Sequence, residues 1–350
     1  MTNAKKINIL MTGGGAPGAP GIIKCLAQDP AINIIAGDAN PNAIGRFLVT
    51  DFMTMPRADD SSFIDSLLAI CREKDIHVVL PLVTKELIPL ARHKKEFELA
   101  GSKLIISPVE SLEIANDKSK LYQFLQWRGL EVPKFYVVET IDQFSEAAKE
   151  LGFPKETICF KPSLSNGSRG FRIISSHIDQ HHFLFNEKPS ATYIGYDDAL
   201  KIFSSRAFPE LLVSEWLPGE EFSVDCLANR GEPVVIVPRI RTKMVNGISV
   251  EGQFINEPSI VEYCRQIIRE LQLHGNIGIQ VKKSSAGKFL VLEINPRVQG
   301  TISAALGAGI NLPMLAIRQE LGLSIHDEDL RINWGTKFFR YWTEVFHADK

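Results

Sequence analysis

The first hundred residues alternate short apolar runs with amphipathic segments, and this alternation limits the fold more than any other feature. The runs INILMT, INIIAGDAN, IHVVLPLV and KLIIS are rich in β-branched residues, and helix-like segments such as SSFIDSLLAICREK separate them. Strands that alternate with helices form a parallel sheet with helices on both faces. The sequence therefore predicts a Rossmann-like α/β domain over residues 1–112.

After about Leu112 the pattern changes to strands mixed with helices, which is typical of an α+β region. We expect a helix that begins near Asn116 or Asp117 and ends at Gly129. NIGIQVKK and KFLVLEINPR are expected to form an antiparallel hairpin across SSAGK. KFFRYWTEVF, near the C-terminus, is expected to be a closing strand or helix in the core.

The segment GGGAPGAPG follows the first strand and opens a helix, as the phosphate-binding turn of a dinucleotide-binding domain does. Its glycines do not fall at GxGxxG spacing, and two prolines interrupt it. Asp38, at the end of the second strand, could hold a ribose hydroxyl. An NAD-dependent oxidoreductase is one interpretation, and a tight turn at a helix N-terminus that lends N–H groups to an anion is the other.

Two lysines are candidates for binding a nucleotide phosphate. Lys161 lies inside the predicted strand TICFKPS, where a buried ammonium group is costly unless it meets an anion. The loop SLSNGSRG follows directly, and such a loop can close over a polyphosphate with backbone N–H donors. Lys118, at a predicted helix start, could reach the same phosphate, although a lone lysine is most often a surface residue. The spacing is not that of a Walker A loop.

The segment LLVSEWLPGEEFSVD is an apolar strand that runs into polar residues. Glu215, Trp216 and Leu217 are typical of an apolar slot with backbone groups for a purine edge. Glu221 could bond ribose hydroxyls. A strand with an amphipathic turn is the alternative interpretation of this segment.

The stretch KFLVLEINPRVQG places Glu293, Asn295 and Arg297 at every second position of a predicted strand, so the three side chains share a face. Carboxylate and amide oxygens are ligands that Mg²⁺ prefers, completed by waters and phosphate oxygens. Gln280, on the preceding strand of the hairpin, can add a third oxygen. Arg297 supplies a permanent planar charge for a phosphoryl group or an acyl phosphate.

Four further residues are candidates for the substrate side. Glu86 follows the C-terminal end of a strand, where ligands of parallel sheets collect. Arg239 and Arg241, in VPRIRTKMVNG, are candidates for binding a substrate carboxylate, with solvated strand arginines as the alternative. Arg169, in the loop SLSNGSRG, is the fourth.

Lys118, FKPSLSNGSRG, SEWLPGEEFSVD, GIQ and LEINPRVQGT occur in an order and spacing that resemble the ATP-grasp superfamily, especially its carbamoyl-phosphate-synthase-like carboxylate–amine ligases. The resemblance covers nearly the whole chain. It implies a Rossmann-like pre-ATP-grasp domain at 1–112, a lid subdomain at 113–212 and a C-terminal catalytic subdomain at 213–350.

The resemblance also implies roles for the matching residues. Lys118 and Lys161 would bind the ATP phosphates and Arg297 would stabilise the transition state. The lid loop over the phosphates would consist of Ser165, Asn166, Gly167, Ser168, Arg169 and Gly170. Adenine would be held by Glu215, Trp216 and Leu217, ribose by Glu221, and Mg²⁺ (with Mn²⁺ as an alternative ion) by Gln280, Glu293 and Asn295. Many members have an acid in place of Gln280, so a second metal ion would be held less tightly.

The activity that the resemblance implies has two steps. A substrate carboxylate attacks the γ-phosphoryl group of ATP to give an acyl phosphate and ADP, and an amine then displaces phosphate to form an amide. The partners would be a small carboxylate and an amine, and a homodimer is one option. The alternatives are a carbamoyl-phosphate-synthase-type subunit that phosphorylates bicarbonate, the NAD-dependent oxidoreductase, and a non-catalytic nucleotide-binding protein.

The amino-acid composition predicts which classes of partner the protein binds and in which cellular compartment it works. The 39 Lys and Arg against 41 Asp and Glu create no global field toward nucleic acid or an anionic membrane. The N-terminus lacks a signal-peptide pattern, and no segment has the ~18 apolar residues of a membrane helix. Five scattered cysteines without CxxC are typical of reduced thiols. We therefore expect a cytoplasmic protein without nucleic-acid or membrane partners.

Overall fold

The computed structural model describes residues 6–165, 167, 169–186, 191–245 and 247–348. It divides into two compact units. Unit 1 comprises the chain up to Ala115, Glu221–Val281 and the chain from Ile294 onward, and unit 2 comprises Asn116–Glu220 and Lys282–Glu293. Two residues of the predicted lid loop, Asn166 and Ser168, lie outside the described residues.

Unit 1 begins with a five-stranded sheet in which every pair of neighbours is parallel. Its strand order is β3-β2-β1-β4-β5, which confirms the predicted Rossmann-like domain. The strands are β1 (Ile7–Thr12), β2 (Ile32–Asp38), β3 (Asp51–Thr54), β4 (Val78–Leu80) and β5 (Lys103–Leu104). The helices are α1 (Ala19–Leu26), α2 (Phe63–Glu73), α3 (Thr84–Arg92), α4 (Lys94–Leu99) and α5 (Val109–Ala115).

The central strand β1 shows why these runs are apolar throughout. Ile9 and Met11 pack on one face in a cluster that includes α1, and Leu10 packs on the other in a cluster that includes α2 and α3. Successive strand residues point to opposite faces, and both faces are covered. Each strand therefore needs a continuous apolar run. The sequence pattern indicates a sheet whose two faces are both covered.

Unit 2 contains a four-stranded antiparallel sheet in the order β6-β9-β7-β8. Its strands are β6 (Phe135–Val138), β7 (Ile158–Pro162), β8 (Arg172–Ile174) and β9 (Leu211–Glu215). Its helices are α6 (Lys118–Trp127), α7 (Ile141–Glu150), α8 (Gln180–Asn186) and α9 (Tyr196–Ser205). Edge-to-face contacts join Phe144 to Phe160 and Phe203 in the core of this unit.

The start of α6 agrees with the sequence prediction. The Asp117 carboxylate accepts hydrogen bonds from the backbone N–H groups of Ser119 and Lys120, so it caps the helix. Gly129, at φ +78°, lies just beyond the last turn, where the left-handed conformation that favours glycine ends the helix. The predicted start near residue 117 and end at Gly129 are confirmed.

A six-stranded sheet has the order β14-β13-β10-β11-β12-β15. Its strands are β10 (Glu221–Asn229), β11 (Glu232–Val245), β12 (Ile248–Phe254), β13 (Gly275–Lys283), β14 (Phe289–Asn295) and β15 (Lys337–Phe339). The remaining α-helices are α10 (Pro258–Glu270) and α11 (Leu312–Leu321), and short 3₁₀ segments span Ile44–Phe47, Ile302–Ala308 and Asp327–Leu330. The adjacency of β13 and β14 confirms the predicted hairpin.

The expectation that KFFRYWTEVF is a closing strand or helix in the core is confirmed for a short strand only. Only β15 forms, at the edge of the six-stranded sheet, where it pairs antiparallel with β12. Phe338 is partly buried and packs against the core cluster of unit 1, whereas Tyr341, Trp342 and Phe346 are 85%, 75% and 92% exposed. These three residues follow the end of β15 at Phe339 and belong to no helix or strand that would pack them against the core.

Two expectations from composition can be compared with the structure. No helix within the described ranges combines the length and the apolar character needed to span a bilayer. All five cysteines are buried and free of disulfide bonds. Burial raises the pKa of the Cys25 thiol to about 12 and that of Cys71 to about 11, so both are protonated at neutral pH.

Candidate active site

Lys118 lies in the first turn of α6 and is 6% exposed, so it is not a surface lysine. Its Nζ donates hydrogen bonds to the carbonyl oxygen of Ser165 (2.5 Å) and to the Ser165 hydroxyl (3.3 Å). Burial lowers the pKa of the ammonium group, while the charges of Glu293 and Asp117 raise it. Lys118 is thereby held against the start of the small-residue loop.

Lys161 is half-buried near the end of β7. Its Nζ donates to the carbonyl oxygen of Leu292 at 2.8 Å and lies 5.4 Å from the centroid of the Tyr122 ring. The Tyr122 hydroxyl donates to the carbonyl oxygen of Val291 at 2.8 Å. Both side chains therefore contact the segment of β14 that immediately precedes Glu293.

The small-residue loop after β7 requires two glycines for its conformation. Gly167 and Gly170 have φ values of +66° and +78°, in the left-handed region. A Cβ on Gly170 would also lie 2.6 Å from Cδ of Pro162. Arg169, the loop residue predicted for the substrate side, is exposed. The described part of the loop thus combines two glycines, which carry no side chain, with an exposed cation.

The predicted adenine segment follows β9. The Glu215 carboxylate accepts a hydrogen bond from the backbone N–H of Lys134 at 2.7 Å, and the Trp216 backbone N–H donates to the carbonyl oxygen of Thr157 at 3.2 Å. Leu217 is 2% exposed. These contacts fix the segment. The backbone N–H of Trp216 is bonded to Thr157, so it is not directed toward a nucleotide base.

Sequence reasoning missed Lys282, which stacks on the same tryptophan. Its Nζ lies 3.4 Å from the centroid of the Trp216 ring, and the residue is 8% exposed. The position two residues after Gln280 on β13 was the available signal, because alternate strand residues share a face. A desolvated cation–π pair of this kind stabilises the ring orientation by about 2 kcal/mol.

Three predicted residues of unit 1 are joined through one guanidinium group. Arg241 Nη1 donates to the Glu221 carboxylate and to Oε1 of Gln280, the latter at 3.3 Å. Its other donors reach the Ser249 hydroxyl (3.0 Å) and the carbonyl oxygen of Gly247 (2.6 Å). The Arg241 side chain is 5% exposed, so the alternative of a solvated strand arginine is wrong.

Arg239, two residues earlier on β11, is enclosed still further. Its Nε donates to the Asp225 carboxylate at 2.7 Å, and the two side chains are 1% and 0% exposed. Its Nη atoms donate to the Ser249 hydroxyl at 3.2 Å and to Gln299 at 3.4 Å. Arg239 is thus neither solvated nor accessible, and a substrate carboxylate would have to be bound by other groups.

The row on β14 has the chemistry of a hard-cation site. Glu293 and Asn295 are separated by one residue on the strand, and Gln280 lies on the neighbouring strand β13. One carboxylate and two amide oxygens suit Mg²⁺, which usually binds one or two carboxylates and completes its shell with waters and phosphate oxygens. The described residues contain no cluster of three or more His, Cys, Asp or Glu side chains placed to hold a metal. The chemistry of these donors fits the predicted Mg²⁺ ligands, whose role stays a prediction.

Arg297 connects Asn295 to the N-terminal sheet within unit 1. Its Nε donates to the hydroxyl of Thr84 at 3.0 Å, and its Nη2 donates to the amide oxygen of Asn295 at 3.3 Å. Thr84 begins α3 directly after β4, and Glu86, two residues on, accepts a hydrogen bond from the hydroxyl of Thr12 at the end of β1. The carboxyl edge of the parallel sheet thus carries the predicted substrate-side acid.

Glu86 is expected to make stability depend on pH. Burial raises the pKa of this carboxyl group to about 7, with the nearby charge of Asp38 adding to the increase and the Thr12 hydrogen bond opposing it. Because the folded-state pKa exceeds the unfolded one, the stabilisation is complete below about pH 4.5 and is lost as the pH rises through about 7, a change of ~3 kcal/mol. Glu86→Gln should remove most of this slope.

Urea unfolding at pH 5 and pH 8 measures the effect. The matched control is Glu98→Gln, which alters an exposed carboxylate and should leave the slope unchanged. Equal pH dependence in wild type and Glu86→Gln would show that Glu86 is ionised in the folded protein throughout this range.

The glycine-rich turn contacts the segment that follows Arg297. A Cβ on Gly18 would overlap the Cα of Gly300, and one on Gly21 would overlap the Ser303 side chain. The Asp38 carboxylate accepts hydrogen bonds from the backbone N–H groups of Gly15 (2.7 Å) and Asn40 (2.8 Å). The turn therefore packs against the loop beyond Arg297, and Asp38 fixes the turn itself through Gly15.

Gly18→Ala is expected to destabilise the protein by about 1–3 kcal/mol, because the new methyl group meets backbone atoms that cannot rotate away. Thermal unfolding of the variant measures the change. Gly287→Ala is a suitable comparison, because a Cβ there meets nothing within 4 Å and the remaining cost arises from its φ of +81° alone. A Gly18→Ala variant as stable as wild type would contradict the close contact.

Two family models match the chain. One, described as "ATP-grasp in the biosynthetic pathway with Ter operon", matches residues 207–338. The other, described as "PylC-like, N-terminal domain", matches residues 9–105. The second match coincides with the five-stranded parallel sheet, and the first begins before β9 and extends to β15.

Similar curated proteins include two carbamoyl phosphate synthase large chains. That of Archaeoglobus fulgidus is 25% identical over 246 residues, covering 67% of this chain and 21% of the relative. The arginine-specific large chain of Bacillus subtilis is 27% identical over 241 residues, covering 66% and 21%. The chain thus spans about a fifth of the length of these relatives.

Solved structures with this fold include N5-carboxyaminoimidazole ribonucleotide synthetase in complex with ADP (TM-score 0.70, 17% identity, 96% of this chain and 82% of the other). An L-amino acid ligase from Bacillus licheniformis gives a TM-score of 0.64 at 16% identity, covering 94% and 78%. The biotin carboxylase domain dimer of Hydrogenobacter thermophilus 2-oxoglutarate carboxylase, with MgADP, ADP and bicarbonate, gives 0.67 at 14% identity, covering 94% and 73%. The ATP-grasp model over residues 207–338, the PylC-like model over residues 9–105 and the shared fold confirm the predicted resemblance to carbamoyl-phosphate-synthase-like ATP-grasp proteins.

Proposed function

We propose that this protein is an ATP-dependent carboxylate–amine ligase. A carboxylate oxygen would attack the γ-phosphorus of ATP and break its bond to ADP, and the amine nitrogen would then attack the acyl carbon and release phosphate. The position of Arg297 carries the proposal, because its guanidinium group joins Asn295, a proposed metal ligand, to Thr84 at the carboxyl edge of the parallel sheet. A preorganised charge there is suited to stabilise the phosphoryl group in transfer and then the acyl phosphate.

The proposed ATP-binding groups of unit 2 are two lysines, a loop and a ring. Lys118 and Lys161 are positioned by hydrogen bonds to carbonyl oxygens, and a phosphate oxygen would be a better acceptor for either ammonium group. The loop at Ser165–Gly170 would cover the phosphates and exclude water from the acyl phosphate. The Trp216 ring, held by Lys282, would form a wall for adenine.

The metal-binding proposal rests on Glu293, Asn295 and Gln280. A bound Mg²⁺ would supply charge neutralisation at the β- and γ-phosphate oxygens, and Mn²⁺ accepts the same oxygen ligands. Within unit 1, the amide oxygen of Gln280 is held by Arg241, which also binds Glu221. Arg241 therefore acts as a positioning residue for a proposed metal ligand and for the proposed ribose ligand.

The amine would be accepted beside Glu86. A carboxyl group with a pKa of about 7 can take up the proton that an attacking amine must lose, because general bases work best when their pKa lies near the operating pH. Its hydrogen bond to Thr12 orients the group at the carboxyl edge of the sheet, where ligands of such sheets bind. Glu86 would thus serve the second step, as Arg297 serves the first.

Bicarbonate is a second candidate for the phosphoryl acceptor. The relatives named carbamoyl phosphate synthase large chain and the solved structure with bound bicarbonate favour it. The structure titled L-amino acid ligase favours an organic acid instead. The two candidates predict different results. Bicarbonate should raise ADP formation above background in one case, and an organic carboxylate should do so in the other.

The proposal is tested by measuring ADP and phosphate release from ATP and Mg²⁺. One mixture contains pooled amino acids and small carboxylates, and a second contains bicarbonate with an amine pool. We expect ADP release to depend on the first pool, and we expect Lys161→Ala to abolish it. Arg57→Ala, in an exposed ion pair with Asp59, is the matched control and should retain wild-type turnover. Release that depends on bicarbonate alone would replace the proposal with the second candidate, and the absence of ATP binding would refute both.

The compartment, assembly and domain division are part of the same proposal. We infer a cytoplasmic protein, since ATP, ADP and reduced thiols belong to that compartment. A homodimer is proposed from the solved domain dimer with the same fold. The division at residues 112 and 212 into pre-ATP-grasp, lid and catalytic parts is likewise proposed, and limited proteolysis would test it. Size-exclusion chromatography with light scattering would test the dimer.

A further inference from the structure

Arg340 brings a third arginine to the sheet face that carries Arg239 and Arg241. Its backbone N–H donates to the carbonyl oxygen of Val250 at 2.8 Å, which continues the antiparallel pairing of β15 with β12. Phe338, two residues earlier, shares this face, and its ring centroid lies 5.8 Å from the Arg239 guanidinium carbon. The C-terminal segment therefore contributes a cation to unit 1.

The three arginines on this face outnumber the carboxylates that pair with them. Arg239 pairs with Asp225, and Arg241 pairs with Glu221. The half-buried Arg340 donates to the Thr301 hydroxyl at 3.4 Å, and no carboxylate of the described ranges lies within ion-pair distance of its guanidinium group. One positive charge is left over.

The environment of Arg340 disfavours an isolated charge. Burial, and then the positive charge of Arg239, lower the pKa of the Arg340 guanidinium group. A partly buried cation beside a like charge is costly unless an anion neutralises it. Because Arg239 is 1% exposed and fully engaged, Arg340 is the arginine that a ligand can approach.

The location of Arg340 ties it to the loop of the proposed catalytic arginine. Its hydrogen-bond acceptor, Thr301, belongs to the loop that begins at Arg297, and Gln299 of the same loop accepts a hydrogen bond from Arg239 at 3.4 Å. Arg297 itself points to Thr84 and Asn295. Arg297 begins this loop and Arg340 donates to it, and the two arginines have different hydrogen-bond partners.

We propose that Arg340 binds a substrate carboxylate that is not activated, so that the ligated product keeps a free carboxylate. This inference rests on the proposed ligase function. The carboxylate that becomes an acyl phosphate loses its ionic form, whereas a spectator carboxylate stays charged through both steps and suits a permanent guanidinium partner. The substrate class that follows is an amino acid, or a short peptide, as the amine donor.

Binding can be measured without turnover. Thermal stabilisation of the protein is recorded with a pool of free amino acids and with the matching pool of amino acid amides, for wild type, Arg340→Ala and Arg340→Lys. The free acids should stabilise wild type and the amides should not. Arg340→Ala should lose the difference, and Arg340→Lys should recover part of it. Arg331→Ala, an exposed arginine of the same C-terminal region, should behave as wild type.

Turnover provides the second measurement. With the amino acid pool, Arg340→Ala should lower kcat/KM by about ten- to hundredfold through KM, the size of a charge-assisted hydrogen bond. When amino acid amides compete with free amino acids as amine donors, mass spectrometry should find the free-carboxylate products in excess for wild type only.

The outcomes separate this inference from the proposed function. Carboxylate-specific stabilisation that requires Arg340, without ADP release, would support the binding site and count against the ligase. Amides that serve as amine donors as well as free acids do, with a carboxylate substrate present, or an unchanged KM in Arg340→Ala, would overturn the inference and leave the ligase standing. Equal stabilisation of wild type by both pools, or by neither, would also overturn it.

Discussion

Arg297→Ala is expected to lower substrate-dependent ADP formation by at least about a thousandfold, the loss seen when a transition-state arginine is removed. The guanidinium group is held by Thr84, Asn295 and the carbonyl oxygen of Val298, so its charge is fixed before the reaction begins. It needs no reorganisation as charge develops on the phosphoryl group. Steady-state ADP release measures the loss, and equilibrium binding of ATP should change little.

Arg297→Lys provides the matched comparison, because it keeps the charge and loses the planar fork. We expect it to recover only part of the activity, since an ammonium group cannot reach Thr84 and Asn295 together. An Arg297→Ala variant that keeps its turnover but binds ATP weakly would move Arg297 from the chemical step to nucleotide binding.

The second large effect concerns stability rather than turnover. Asp225→Ala should lower the free energy of unfolding by about 3–5 kcal/mol, because it leaves the Arg239 charge buried without its partner. The two side chains are 0% and 1% exposed, so water cannot replace the lost carboxylate. Urea unfolding at neutral pH measures the change.

Two comparisons isolate the buried pair. Glu251→Ala breaks the exposed ion pair with Lys243 and should cost less than about 1 kcal/mol. Replacing both members of the buried pair by apolar residues, in Asp225→Leu with Arg239→Met, should restore most of the stability, because no unpaired charge remains. A small effect of Asp225→Ala would mean that solvent reaches Arg239 in the folded protein.

The local features of this protein were readable from the sequence. The short apolar β-branched runs predicted the parallel sheet because β1 must bury Ile9 and Leu10 on opposite faces. Asp117 and Gly129 predicted the ends of α6 because capping depends on residues adjacent in the chain. The row at Glu293, Asn295 and Arg297 was visible because strand alternation is local.

Contacts between distant segments were not readable. The Arg297 contact joins residues 213 positions apart, and no periodicity reports such a pairing. Arg239 was expected to be solvated or to contact substrate, and only the register of β10 with β11 shows that Asp225 lies within its reach. Aromatic residues near the C-terminus suggested a core element, but β15 ends at Phe339, and Tyr341, Trp342 and Phe346 beyond it are exposed. These features follow from topology rather than from composition.

Transfer of oxygen from the substrate carboxylate to phosphate tests the central claim most directly. The enzyme is incubated with ATP, Mg²⁺ and an amino acid pool carrying ¹⁸O in both carboxylate oxygens, and the released phosphate is analysed by mass spectrometry. Formation of an acyl phosphate predicts one ¹⁸O atom in each phosphate released with ADP. Phosphate without ¹⁸O, formed at the same rate as ADP, would mean that water attacks the γ-phosphorus and would contradict the ligase mechanism.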